Sequence, residues 1–123
     1  MKNLLKETEE MFAEYGKTWE DVKGICLGYY YKYWDEPTNV SISVDQFIKI
    51  ADRLYDNGFG GQEVNENLMI VGDNWWMERH EYDGSEWWEY KTLPNLADYP
   101  KVDEAPDWYM FPKLRENEDN YYD

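Results

Sequence analysis

Basic residues, histidine and cysteine are scarce in this chain. Its 123 residues include 12 Lys and Arg, one His and one Cys, against 27 Asp and Glu, so the formal net charge is −15. The single Cys26 excludes a disulfide within the chain and favours a reducing compartment. Zinc needs several nitrogen or sulfur ligands, which one His and one Cys cannot supply, so we expect no metal site and no cofactor.

Long hydrophobic runs are also absent from the sequence. No apolar run approaches the roughly 20 residues of a membrane span, and the N-terminus turns acidic within its first seven residues, unlike a signal peptide. These features predict a cytoplasmic protein.

Aromatic residues, in contrast, make up 19% of the chain. An acidic chain with few aromatic residues would stay disordered, because it could not bury enough apolar surface to offset chain entropy. Seven Trp, twelve Tyr and four Phe can supply a core here. We therefore expect a folded protein with a strongly negative surface, which repels nucleic acids and anionic membranes and attracts basic protein surfaces.

Apolar periodicity predicts two amphipathic helices in the first half of the chain. The first covers residues 4–15 and ends at Gly16, and a capping box that starts at Thr18 predicts a short helical turn over residues 19–23. The second begins after Ser43, with Gln46 three residues on, and closes at Asn57-Gly58.

Residues 25–34 are rich in aromatic side chains, and this composition favours a strand between the two helices. A helix that continues from Trp19 is the alternative, although Gly24 and Gly28 weaken it. Residues 35–39 predict a turn.

From Leu68 onward the spacing of apolar residues changes from the helical period to that of β-strands. Residues 68–71, 75–82 and 86–92 predict an antiparallel three-stranded meander with turns at 72–74 and near Asp83-Gly84. The fold class is therefore α+β, with two or three helices packed on a three- to four-stranded antiparallel sheet in a domain of residues 1–93.

Residues 94–123 contain four prolines and eight acids against three bases, and they predict an irregular acidic C-terminal segment that is partly docked on the domain.

The hairpin of residues 75–91 admits two registers. A two-residue Asp83-Gly84 turn sets Glu81 opposite Glu86 and Glu78 opposite Glu89, and opposed like charges destabilise a sheet. A three-residue loop of residues 83–85 instead pairs Arg79 with Glu89 and His80 with Trp88. The charge pattern favours the second register.

Two pairs of adjacent tryptophans put an indole ring on both faces of this hairpin in either register. The four rings either build a two-sided core or leave one face as a partner-binding surface, since contiguous exposed aromatic patches are rarely idle. The candidate partner-binding residues of the hairpin are Trp76, Glu78, Glu81, Asp83, Glu86, Trp87 and Glu89. A second candidate set in the C-terminal segment comprises Asp103, Glu104 and Asp107.

No catalytic set emerges from the sequence. Carboxylate pairs are abundant, but in a chain this acidic their pairing carries no information. The chain has no convincing pair of nucleophile and base, and a lone His80 on a strand is more often a packed or surface residue than a catalytic base. We expect a protein that is not an enzyme.

Five segments carry a resemblance to known proteins: Ala51-Asp52, Tyr55–Gly58, Gly60–Glu63, Trp75–Arg79 and Tyr82–Trp88. Together they are similar to small uncharacterised proteins of phages and prophages from Gram-positive bacteria. The resemblance covers residues 45–94. It implies a short accessory protein of a mobile element, a context in which small acidic proteins are often counter-defence factors such as anti-CRISPR proteins.

Charge and resemblance together predict an inhibitor that mimics DNA and binds a basic nucleic-acid-binding host defence protein, for which a Cas9-type effector is the natural candidate. The alternative is a non-catalytic phage adaptor that binds a protein partner through an aromatic hairpin patch. Binding of a nucleotide is disfavoured because phosphate requires positive charge.

Overall fold

Two helices begin and end where short polar residues and glycine can satisfy their backbone. The computed structural model describes residues 1–30, 37–58 and 60–121. Helix α1 (Leu4–Tyr15) starts after Asn3, whose side chain accepts a hydrogen bond from the Lys6 N–H, and ends at Gly16 with a left-handed φ of 66°. Both predicted ends are confirmed. The predicted capping box also forms, since the Thr18 N–H donates to Asp21 Oδ2 at 2.8 Å before a 3-10 helix, Trp19–Asp21.

Helix α2 (Val44–Ala51) starts at the predicted capping box but ends earlier than predicted. Ser43 and Gln46 exchange side-chain-to-backbone hydrogen bonds at its start. The predicted end at Asn57-Gly58 is wrong, because the chain leaves the helix at Asp52 and forms the strand β4 (Leu54–Tyr55), which pairs with β1 (Lys2–Asn3). This pairing buries the Tyr55 side chain, a contact that local helix periodicity cannot foresee.

A five-stranded antiparallel sheet forms the centre of the first structural unit, Met1–Leu93. Its strands are β2 (Gly24–Tyr30), β3 (Pro37–Ile42), β5 (Met69–Val71), β6 (Trp75–Tyr82) and β7 (Ser85–Thr92), in the order β3-β2-β5-β6-β7. The α+β class is confirmed, and so is the predicted meander.

The sheet has one strand more than the three or four predicted. Over residues 25–30 the strand prediction is confirmed against the helical alternative, and the observed strand begins one residue earlier, at Gly24. Residues 31–34 of that prediction lie outside the described residues. The turn predicted at 35–39 is wrong for residues 37–39, which belong to β3 and pair with β2, and residues 35 and 36 lie outside the described part. Pairing of β3 along β2 satisfies backbone groups that a turn would leave to solvent.

The core lies between the two helices and the inner face of the sheet. Phe12 of α1 meets Trp19 edge-on at 4.7 Å between ring centroids, and it meets Trp75 edge-on at 6.2 Å. These T-shaped pairs add to the area that the rings bury. The buried core residues are Phe12, Ile25, Phe47, Ala51, Leu68, Ile70, Trp75, Met77 and Trp88.

The hairpin adopts the two-residue turn, so the register favoured by the charge pattern is wrong. Asp83 and Gly84 have φ values of 53° and 83°, the signature of a type I′ turn, and Arg79 lies opposite Trp88. The three-residue register would have turned Glu89 toward the core in place of Trp88, because a slip of one residue exchanges the two faces of a strand. Burial of Trp88 therefore outweighs the opposition of Glu81 to Glu86 and of Glu78 to Glu89.

The second unit, Pro94–Asp123, contains helical segments. A 3-10 helix spans Leu96–Asp98, and two short helices follow, α3 (Asp107–Met110) and α4 (Pro112–Tyr121). Within this unit the Arg115 guanidinium lies over the Trp108 ring at 4.5 Å. The prediction of an irregular segment is therefore wrong at these residues, whereas its docking onto residues 1–93 stays a prediction. None of the described helices, in either unit, is both long and apolar enough to cross a membrane.

Candidate functional site

The outer face of the hairpin carries a mixture of tryptophans and carboxylates. Strand alternation turns the odd-numbered residues 75, 77 and 79 of β6 toward the core, together with their partners 92, 90 and 88 on β7. Trp75 and Trp88 are each 4% exposed. The opposite face, called here the outer face, consists of Trp76, Glu78, His80, Trp87, Glu89 and Lys91.

Polar contacts surround the two opposed carboxylates of the outer face, Glu78 and Glu89. His80 lies between the two, with Nδ1 at 2.7 Å from Glu89 and Nε2 at 3.6 Å from Glu78. The Trp76 indole N–H donates to Glu78 at 3.1 Å, and Lys91 Nζ lies 3.8 Å from Glu89. The contacts of Glu89 with His80 Nδ1 and Lys91, and of Glu78 with the Trp76 indole N–H, reduce the cost of placing these two carboxylates opposite each other.

Aromatic rings on this face remain accessible. Trp87 is 38% exposed and stacks on His80 at 6.4 Å between centroids, and Trp76 is partly buried. Exposed indole rings beside carboxylates suit the binding of an apolar and basic surface, because tryptophan dominates many binding hot spots. Among the described residues, no group of three or more His, Cys, Asp or Glu is arranged to hold a metal ion.

The structure separates the candidate residues that the sequence had grouped. Glu78 and Glu89 lie on the outer face with Trp76 and Trp87. Glu81 is exposed near the tip of β6, where it accepts a hydrogen bond from the Gly84 N–H at 3.1 Å, and Asp83 is exposed in the turn. Asp103, Glu104 and Asp107 are exposed in the second unit.

Glu86 is not part of any exposed surface, which corrects its assignment as a partner-binding residue. Its side chain is 1% exposed. One carboxylate oxygen lies 2.9 Å from Arg79 Nη2, and the other accepts the Glu63 N–H at 2.8 Å. A buried carboxylate with these partners is held inside the protein, because exposing it would leave Arg79 without its closest counterion.

Arg79 is the centre of a buried polar network under the hairpin. Its guanidinium also donates to Glu7 at 3.0 Å and to the Tyr55 hydroxyl at 3.1 Å, and Tyr55 in turn donates to Glu7 at 2.6 Å. The guanidinium lies over the Trp88 ring at 4.9 Å. The network therefore ties α1 and β4 to the inner face of β6 and β7.

Burial shifts the proton affinities of two groups in this network. Desolvation raises the pKa of the Tyr55 hydroxyl well above 10.0, and the hydrogen bond to Glu7 raises it further, while Arg79 opposes both effects. For Arg79, burial alone would lower the pKa, but the hydrogen bonds to Glu86, Tyr55 and Glu7 outweigh it, so the pKa is raised. A neutral tyrosine and a charged arginine are thus stabilised in the folded state.

A depression adjoins the outer face where β2, β3, β5 and β6 meet the loop at residues 66–68. Its volume is about 400 Å³. Gly28 forms part of its wall, and a Cβ atom at this position would collide with the Asn67 side chain. The polar side chains that line it are Cys26, Asn39, Glu66, Asn67 and Glu78. Sequence reasoning missed this group because its members come from four separate segments with no shared motif.

A larger cavity of about 540 Å³ lies on the inner side of the sheet, with mostly apolar walls such as Leu27, Phe47 and Leu54. Three of its polar lining residues, Tyr55, Glu63 and Asn65, are engaged within the protein. Tyr55 donates to Glu7, and Glu63 accepts the Asp56 N–H at 2.9 Å. Ligand sites combine apolar walls with a few convergent polar groups that are free to bind, so the outer face remains the stronger candidate.

Comparison of this chain with protein-family models, with curated proteins and with solved structures finds no match in any of the three. The resemblance to phage proteins therefore stays a prediction from the sequence.

Proposed function

We propose that this protein is a non-catalytic inhibitor that covers the basic nucleic-acid-binding surface of a partner protein with the outer face of its hairpin. The observation that carries this proposal is the placement of Glu78 and Glu89 beside Trp76 and Trp87 on one face of an ordered hairpin. The net charge of −15 attracts a basic partner from a distance, and the tryptophans supply close contact.

Competition for positive charge is the proposed mechanism of inhibition. Proteins that hold nucleic acids present Lys- and Arg-rich channels, because each phosphate carries a negative charge. A folded acidic protein seated in such a channel excludes the nucleic acid. A cytoplasmic host defence effector of the Cas9 type fits this role, since it holds its heteroduplex in a positively charged channel.

The test is binding to a guide-loaded Cas9-type nuclease by wild type and by the variant Glu78→Lys, Glu81→Lys, Glu89→Lys. The matched control reverses three exposed acids outside the hairpin, Glu10→Lys, Glu14→Lys and Glu20→Lys, with the same change in net charge. We expect wild type and control to block DNA binding and cleavage and the hairpin variant to lose this inhibition. Thermal unfolding verifies that each variant is folded, and the corresponding Glu→Gln set replaces any that is not.

Two outcomes contradict the proposal. If wild type leaves DNA binding by the nuclease unchanged, this class of target is wrong. If the folded hairpin variant inhibits as well as wild type, charge on the hairpin has no role. An adaptor that binds through Trp76 and Trp87 is then the better account, and alanine substitution of those two residues tests it.

A further inference from the structure

We infer that the depression beside the outer face is an anchor site for a single arginine side chain of the basic partner. This inference rests on the proposed function and names the group that the acidic face recognises. It concerns the cavity lined by Cys26, Gly28, Asn39, Glu66, Asn67 and Glu78.

The charge of the lining suits a cation. Two carboxylates, Glu66 and Glu78, face the cavity from different segments, and no Lys or Arg is among the lining residues that the structure describes. Glu78 belongs to both the cavity and the outer face, and the Trp76 indole N–H holds one of its oxygens at 3.1 Å. A carboxylate has about four acceptor positions, so Glu78 can accept a ligand hydrogen bond while it keeps that of Trp76.

The shape and chemistry of the lining favour arginine over lysine. Asn39 and Asn67 line the cavity together with the two carboxylates, and each of their side-chain amides carries one acceptor oxygen. A guanidinium has five N–H donors in a planar fork that can use several acceptors at once, whereas an ammonium is a compact point charge. Met69 also lines the cavity and can pack against the aliphatic stem of an arginine.

The volume and the backbone agree with such a ligand. About 400 Å³ lies within the range of small-ligand sites, roughly 300–1,000 Å³. Gly28 lets the Asn67 side chain lie directly against β2, and Asn65 Nδ2 donates to the Gly28 carbonyl at 2.6 Å. The loop that carries Glu66 and Asn67 is thereby attached to the strand, which keeps the cavity lining in place.

Cys26 is the only cysteine of the chain and is exposed in this cavity, so its alkylation rate reports occupancy. The probe is a peptide with blocked ends and one central arginine among uncharged residues, and the matched peptides carry lysine or citrulline in place of that arginine. We expect the arginine peptide to slow alkylation of Cys26 by iodoacetamide in a saturable way, the lysine peptide to act more weakly, and the citrulline peptide to have no effect. Equal protection by the arginine and lysine peptides, or none by either, would overturn the inference.

A second arm uses Glu66→Gln, with Glu10→Gln as the control of equal charge on α1. We expect Glu66→Gln to weaken the arginine peptide about tenfold, in keeping with loss of a charged hydrogen bond, and the control to leave it unchanged. Equal behaviour of the two variants would contradict the site. If the arginine peptide protects Cys26 while the nuclease is not inhibited, the proposed function fails and the arginine site stands. If the hairpin Glu→Lys variant loses inhibition while the arginine peptide leaves Cys26 unprotected, the arginine site fails and the proposed function stands.

Discussion

At the scale of single residues, Arg79 decides how the hairpin joins the rest of the first unit. It reaches Glu7, Tyr55 and Glu86 from one guanidinium, and its side chain is buried. Removal of the central partner of a buried ion pair is strongly destabilising, because it leaves uncompensated charge in a medium of low polarity. The folded state therefore depends on this network for its stability.

Substitution Arg79→Met removes the positive charge and keeps a side chain of similar length. We expect it to lower the free energy of unfolding by roughly 3–5 kcal/mol, because Glu7 and Glu86 lose their cation. Urea unfolding measures the change. The double variant Arg79→Met, Glu86→Gln is the control, and it should recover part of the loss. A single variant as stable as wild type would show that the carboxylates do not depend on Arg79.

The contribution of Tyr55 to the free energy of unfolding should decrease at alkaline pH. Its pKa is raised in the folded state, so its contribution is fully present below the unfolded value of about 10 and declines as pH rises above it. The stability difference between wild type and Tyr55→Phe should therefore shrink between pH 9 and pH 11, about one unit on either side of that value. Urea unfolding of both proteins at the two values measures it, and a difference that stays constant would contradict the raised pKa.

At the scale of elements, the β6–β7 hairpin assigns different roles to adjacent tryptophans. Trp88 packs under Arg79 and donates its indole N–H to Thr8 of α1 at 3.0 Å, while Trp87 faces outward. The type I′ turn sets this arrangement. Gly84 also packs closely on the neighbouring loop, since a Cβ atom there would lie 2.6 Å from the Gly60 carbonyl oxygen.

The variants Trp88→Ala and Trp87→Ala should therefore differ sharply. We expect Trp88→Ala to cost roughly 3–5 kcal/mol, because it opens a cavity and leaves Thr8 without its indole donor, and Trp87→Ala to cost much less. Thermal and urea unfolding give both values. Equal costs for the two variants would mean that the inward and outward faces are misassigned. Under the proposed function, Trp87→Ala should weaken partner binding while the fold stays intact.

At the scale of the whole molecule, net charge governs encounters with other macromolecules. The 94–123 segment contributes eight acids against three bases, and residues 1–93 hold the other 19 acids and nine bases, so both parts are acidic. Because both parts carry net negative charge, the protein repels phosphate groups over roughly one Debye length, about 8 Å at physiological salt.

The protein should not bind DNA or RNA directly. The repulsion of phosphate by a chain of net charge −15 gives the physical reason. Gel-shift titration with duplex DNA and with RNA at physiological salt is the measurement. A shift at micromolar protein would contradict the acidic-surface interpretation, and the variant with three hairpin Glu→Lys changes serves as a control for weak non-specific binding.

Association with a basic partner should slow steeply as salt rises. Electrostatic steering accelerates encounter and is screened by ions, whereas dissociation depends mainly on close contacts. Stopped-flow or surface-binding kinetics over a series of salt concentrations measures the on-rate. The hairpin Glu→Lys variant should show a slower on-rate and a shallower salt dependence, and an on-rate independent of salt would exclude electrostatic steering.

The sequence by itself determined the features that depend on neighbours a few residues apart. Gly16 and Ser43 mark helix ends because their capping contacts are local, and strand alternation sends Trp75 and Trp76 to opposite faces whatever surrounds them. Composition likewise predicted an acidic folded protein with an aromatic core. The α+β class and most of the strands were therefore predictable.

Only the tertiary structure decided the features that join distant segments. Glu7 and Arg79 are 72 residues apart and Glu7 and Tyr55 are 48 apart, so no local pattern predicts that they meet or that Glu86 is buried with them. The hairpin register followed the burial of Trp88, which depends on α1, and among the opposed carboxylates Glu86 contacts Arg79 and Glu89 contacts His80. The cavity around Cys26 likewise exists only where β2, β3, β5 and β6 meet the loop of Glu66. Packing energy depends on the whole assembled core, and local sequence signals extend over only a few residues.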